Sequence, residues 1–263
     1  MQSAISLESV LKRDRVVVAF GVIAVVAIAW GHTVYVAQKA SAMDLSASMA
    51  MVNIRSWSVV DFALMFVMWA VMMVAMMLPS AAPMILLFAA VNRKRRENAG
   101  PFVPTSVFVS GYVVAWSVFA AAATMGTWGL HQASLLSSMM GESTSAYLGG
   151  GLLIAAGAFQ WTRLKYACLT HCRSPLSFLM NGWREGNVGA FKMGLEYGKY
   201  CLGCCWILMG LLFVLGIMNL LWIAALAGFV LLEKLAPAGQ RVGRIAGVLL
   251  MAWGAWAIVV TNL

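Results

Sequence analysis

The chain has 263 residues, 62% of them hydrophobic and only 10% charged, with a formal net charge of +9 and a mean hydropathy of +0.87. A soluble core cannot hide that much apolar surface, so the composition excludes a soluble domain and predicts an all-α, polytopic helix bundle in a lipid bilayer, one domain over residues 1–263. The positive charge is not a nucleic-acid signal, because Lys and Arg sit in short runs between apolar stretches, as membrane proteins carry them.

A spanning helix needs roughly 20 apolar residues. The stretch after "LKRDR" is long enough to stay as a first span, 16–36, rather than serve as a cleaved signal. Further spans are expected at 62–90, 105–129 and 146–166. A polar, Gly-rich stretch, 173–190, follows. The apolar region from Gly194 to Leu235 holds two spans, 197–217 and 220–236, if it turns at Asn219, and a last span covers 243–261. A six-span version makes 201–221 or 220–236 re-entrant. The basic residues choose between them. Lys12, Arg13 and Arg15 precede the first span, while 37–61 carries only Lys39 and Arg55, offset by Asp44 and Asp61. Arg93, Lys94, Arg95 and Arg96 follow the second span, and 130–145 has neither Lys nor Arg. Arg163, Lys165, Arg173, Arg184, Lys192 and Lys199 fill the next segment; the Asn219 turn has none; Lys234, Arg241 and Arg244 come last. This alternation is complete for seven spans, N-terminus inside and C-terminus outside. No long internal repeat or linker interrupts the pattern.

The second span reads "DFALMFVMWAVMMVAMMLPSAAPM". Met68, Met72 and Met76 form one row at four-residue spacing, and Met73 and Met77 a second. Thioethers bind Cu(I) without losing a proton, so such a ladder could pass a soft ion along a helix; methionine also simply packs well in membrane cores. Pro79 and Pro83 each remove a helix hydrogen bond and are expected to kink or break the span, leaving carbonyls for Ser80, neighbours or water to satisfy. Asp61 is expected to N-cap this helix.

All five cysteines lie in two runs. "CLTHC" holds Cys168, His171 and Cys172; "CLGCC" holds Cys201, Cys204 and Cys205. Both runs have the spacing of one helical face, and the second face continues through Met193, Tyr197 and Met209. A helix pair meeting at these faces brings up to five thiols together, with His171 and Glu196 in reach. In the predicted topology both runs lie at cytoplasmic helix ends, where thiols stay reduced. Soft thiolate and thioether ligands select Cu(I), or zinc if the site is tetrahedral and closed; no spacing typical of an iron–sulfur cluster is present.

Of the remaining ionisable residues, Lys234 is expected to snorkel to the surface and Glu233 to pair with a basic residue or serve a metal or proton. His32 and His131 lie at outer span ends, and tryptophans such as Trp30, Trp57, Trp69 and Trp128 fit interfacial anchoring or packing. "LGGGLL", 148–153, fits close helix packing, and 177–191 fits a segment lying along the inner surface. No phosphate-binding loop, catalytic triad or zinc-protease motif occurs.

Together, "MWAVMMVAMMLPSAAPMILLF", "QWTRLKYACLTHCRSP", "GLEYGKYCLGCCWILM" and "MNLLWIAALAGFVLLEKLAP" resemble a bacterial family of predicted metal-binding integral membrane proteins, some of whose members are called copper chaperones. The resemblance covers roughly residues 60–260. It implies a multi-pass protein of the bacterial inner membrane with metal ligands at Cys168, His171, Cys172, Cys201, Cys204 and Cys205, and a Met-Met-Pro run at Met76, Met77 and Pro79. Combined with the helix faces, the expected metal set is those six residues with Met72, Met76 and Met209. The expected function is non-enzymatic: binding and transport or delivery of copper (alternatively zinc), with a metal-donor or acceptor protein as partner. The competing reading is a membrane thiol–disulfide enzyme cycling the Cys201–Cys204 pair.

Overall fold

The computed structural model describes residues 2–47, 57–97, 103–133, 136–137, 142–143 and 146–261. Arg55 lies outside them, as do the side chains of Lys12, Arg13, Arg15, Asp44 and Arg96. Most of the described residues are helical, and the strands among them form one two-residue antiparallel pairing, β1 (Leu136–Ser137) with β2 (Glu142–Ser143). The helices are α1 (Gln2–Ala47), α2 (Val59–Glu97), α3 (Thr105–Gln132), α4 (Ala146–Phe159), α5 (Arg163–Arg173), α6 (Pro175–Gly182), α7 (Gly186–Gly210), α8 (Leu212–Leu215), α9 (Leu220–Leu235) and α10 (Gly239–Thr261).

Among the described residues, five stretches are long and apolar enough to cross a membrane: Val16–Lys39, Val59–Arg95, Thr105–Gln132, Gly186–Leu215 and Gly239–Val260. The expected fourth span, 146–166, stops short, because the backbone turns through Gln160–Thr162 and α5 starts anew with the Thr162 side chain accepting from Lys165 N. The expected sixth span, 220–236, falls on α9, whose 16 residues are not among these five stretches. The turn before it falls where expected: Gly216 takes φ +93°, a conformation that suits glycine, and Asn219 caps α9 by accepting from Trp222 N. The fifth span starts earlier than 197, since 186–196 is already helix, and the expected polar stretch contains α6.

Half of the apolar window of α7 is buried, against 11% of that of α1. So α7 is central and α1 peripheral. Val17, Phe20, Ile23 and Ile28 of α1 point outward, an apolar surface that suits lipid and not water.

Small residues set the closest helix contacts. A Cβ at Gly150 would lie 2.7 Å from Gly254 O, and one at Gly254 would lie 2.6 Å from Gly150 O, so α4 and α10 touch backbone to backbone. The expectation for "LGGGLL" holds at Gly150, whereas Gly151 faces open space. On the other side of the bundle, Gly198 of α7 packs on the α3 turn that carries Tyr112 and Ala115.

Helix α2 runs unbroken through both prolines. Pro79 has no N–H to offer Ala75 O, and the Trp30 indole N–H of α1 donates to that carbonyl at 3.1 Å. Trp30 is thus an internal hydrogen-bond donor rather than only an interfacial anchor. At the start of α2 Asp61 is one turn further in than expected. Ser58 is the N-cap, and the Asp61 carboxylate accepts from Ser58 N at 2.8 Å while Ser58 Oγ accepts from Asp61 N at 3.3 Å, a reciprocal capping box.

Candidate metal centre

The α7 row Met193, Tyr197, Cys201, Cys205 and Met209 is buried along its whole length, and so is Cys204. The three sulfurs of "CLGCC" therefore share one inward face, as the spacing predicted. Helix α5 crosses against it and turns Cys172 inward, where its side chain meets that of Cys204. Cys168 lies at the edge, half-buried, in a notch that exists because residue 203 is glycine; a Cβ there would sit 2.7 Å from Cys168 Sγ. Partial burial pushes the Cys168 thiol up from its ordinary value, so it rests protonated at neutral pH and would shed that proton on binding a metal. All five cysteines are free thiols.

Helix α2 supplies a sixth sulfur: Met77 Sδ lies 3.9 Å from Cys205 Sγ. The thioether that reaches the thiols thus comes from the second methionine row, Met73 and Met77. Met72, Met76 and Met209 are fully buried in the same core. Cys204 and Cys205 donate to Cys201 O at 3.1 and 3.0 Å, so in this state their thiols point along their own helix.

Two expected neighbours stand apart from the thiols. His171 is exposed; its Nδ1 is tied to Ala167 O at 2.8 Å and its ring is stacked on Tyr200 with centroids 4.3 Å apart. The reason is helical phase: residue 171 is about 100° around α5 from 172. Glu196 is paired with Arg184 at 3.3 Å near the surface. Among the described residues, no three His, Cys, Asp or Glu side chains form a ready-made metal-ligand group.

The largest departure from expectation is Lys234, which does not snorkel. It is only 5% exposed, and its ammonium donates to Cys201 Sγ and Ser80 Oγ, both at 2.9 Å. Tyr112 Oη lies 3.1 Å from the same sulfur and donates to Met77 O. A buried ammonium needs such partners to be tolerated. The sulfur cluster therefore holds a resident positive charge, which a cationic cargo would have to displace or share. Glu233, its neighbour in sequence, faces another way: both carboxylate oxygens accept from Lys165 Nζ at 2.8 Å, the basic partner expected for it. The signal for Lys234 was present, since an ionisable side chain inside an apolar helix reads as functional by default.

A family model described as PpoB2, copper chaperone, matches residues 66–257. The chain belongs to this family. The matched region runs from α2 to α10 and so includes every cysteine, Met77 and Lys234. No curated protein and no solved structure matches the chain. The family name fits the donor chemistry, because a cluster of thiols with a thioether is a soft-ligand set of the kind that favours Cu(I) over harder ions.

Proposed function

We propose that this member of the copper-chaperone family is a multi-pass protein of a bacterial inner membrane that holds Cu(I) as cargo and exchanges it with a partner protein. The ligands are drawn from Cys172, Cys201, Cys204 and Cys205 with Met77 as thioether; Cys168 stands at the half-exposed edge of the cluster. Met72, Met76 and Met209 form the surrounding thioether wall. His171 is left out of the inner set because its ring is held against Tyr200. In this reading α4 and α9 complete seven crossing segments with the N-terminus inside. The thiols then sit at the cytoplasmic end, where they stay reduced.

The observation that carries the reading is the 3.9 Å contact between Cys205 and Met77, which joins the α7 thiols to the methionine helix. It favours Cu(I) over zinc, whose closed sites take thiolate, imidazole or carboxylate and not thioether. The role is carriage rather than catalysis.

The test is Cu(I) binding to the detergent-purified full chain, measured by competition with a chromophoric Cu(I) chelator. About one or a few equivalents are expected for the wild type. Cys204→Ser with Cys205→Ser should abolish that binding; a double variant that holds copper as tightly as the wild type overturns the ligand assignment. Counting free thiols in native membranes separates this reading from the redox enzyme, which requires a Cys201–Cys204 disulfide in a large fraction of molecules.

A further inference from the structure

A second polar site lies apart from the thiols, in a cleft of about 210 Å³ between the α4–α5 corner and the α9–α10 corner. Its floor is the buried pair Lys165 and Glu233. The Lys165 ammonium donates to both Glu233 oxygens and to Gln160 Oε1, so the floor is a closed, electrically neutral unit. The cleft's remaining charges are Arg163 and Arg244, and both are positive. The Arg244 guanidinium lies over the Trp161 ring, 5.7 Å from its centroid, which holds it at the rim.

Three further features favour an anion. Gln160 is 7% exposed and borders the cleft; its oxygen is committed to Lys165, which fixes its amide nitrogen as a donor, and that nitrogen is buried with no partner. The first turns of α5 and α10 both border the cleft, through Arg163 and Gln240, so the positive ends of two helix dipoles meet there. Gly243 completes the shape, because a Cβ at that position would run into Glu233 Oε1. Another cleft, about 460 Å³ beside Arg95 and Trp183, is different: there Arg95 is already paired with Glu185 at 3.4 Å and stacked 4.6 Å from the Trp183 centroid.

We infer that the cleft between the α4–α5 and α9–α10 corners binds a phosphate-bearing anion through Arg163, Arg244 and the Gln160 amide. The surroundings point to its source. Trp161, Leu164 and Tyr166 are 54%, 60% and 51% exposed beside the cleft, an aromatic and aliphatic rim of the kind that sits at a membrane–water interface. A phosphodiester there places its headgroup on the arginines and its chains along this rim.

The experiment uses the full chain in detergent, freed of lipid, and reads phospholipid binding by native mass spectrometry. Phosphatidylglycerol should bind about tenfold tighter than phosphatidylcholine. Arg163→Gln and Arg244→Gln, singly and together, should remove that preference, while Arg95→Gln should keep it. Both arginines are exposed, so these variants spare the core. Inorganic phosphate is the second arm: if it displaces phosphatidylglycerol, the site takes free phosphate; if it does not, the headgroup is the ligand, and either result keeps the anion assignment. Equal binding of the two lipids with no binding of inorganic phosphate, or a preference that survives the double variant, overturns it. The thiols are not involved, so failure here leaves the copper reading untouched.

Discussion

Replacing Gly198 by alanine is a sharp test of how the α3–α7 contact builds the thiol site. The new Cβ would lie 2.5 Å from Ala115 Cβ and 3.2 Å from Tyr112 O. Two carbon atoms in contact rest about 3.5–4.0 Å apart, so the helices must part by roughly 1 Å, and neither neighbour is a flexible side chain that can move aside. That shift lengthens the 3.1 Å approach of Tyr112 Oη to Cys201 Sγ beyond hydrogen-bond range, while Tyr112 keeps Met77 O and Cys201 keeps the Lys234 ammonium. Overpacking costs about 1–3 kcal/mol and the lost hydrogen bond about 0.5–1.5 kcal/mol, while exchanging Gly for Ala inside a helix returns about 1 kcal/mol. The net is a loss of about 0.5–3.5 kcal/mol, which for a chain of this size lowers Tm by roughly 1–14 °C. Thermal unfolding followed by tryptophan fluorescence in detergent measures it. Gly151→Ala is the control: nothing lies within 4 Å of its Cβ, so the helix-propensity gain should appear alone and Tm should hold or rise. If Gly198→Ala melts at or above the wild-type temperature, close α3–α7 approach is not what holds Tyr112 against Cys201.

Other changes probe the remaining polar contacts. Trp30→Phe removes the donor to Ala75 O and should cost about 1 kcal/mol; in a Pro79→Ala background, where residue 79 regains its own N–H, that cost should vanish, as a double-mutant cycle in thermal unfolding will read. Lys165→Met leaves the Glu233 carboxylate buried and unpaired and should cost about 3–5 kcal/mol, whereas Lys165→Met with Glu233→Leu should recover most of the loss in the same assay. Lys234→Met removes the charge that shares the sulfur cluster; Cu(I) affinity by chelator competition should rise, and an unchanged affinity would mean the ammonium and the cargo do not compete.

Much of this architecture was legible in the residues. The helical phase of Cys201, Cys204 and Cys205 puts them on one face whatever their partner is, and the two-proline stretch marks a place where a freed carbonyl needs a donor. The break at Asn219 was readable from the turn chemistry. The split of 146–166 into α4 and α5 was not, because Gln160–Thr162 holds no Gly or Pro; the break shows only in the Thr162 cap and in the buried Gln160–Lys165–Glu233 group, whose members lie 68 residues apart between Lys165 and Glu233. Pairings across such distances follow from how helices cross, and one sequence carries no direct trace of that.

Lys234 shows why the rule for lysine failed here. Snorkelling lets a lysine near a helix end reach water along a lipid-facing groove. Residue 234 is one position from the end of α9, so distance to the surface favoured that outcome; orientation decided against it. Glu233 and Lys234 are about 100° apart around the helix, and once Glu233 is turned to Lys165, the next side chain is turned to α2 and α7. There Ser80, Cys201 and Tyr112 supply hydrogen-bonding atoms that an apolar core lacks. The "EK" dipeptide thus serves two different sites: its carboxylate floors the arginine-lined cleft, and its ammonium enters the sulfur cluster.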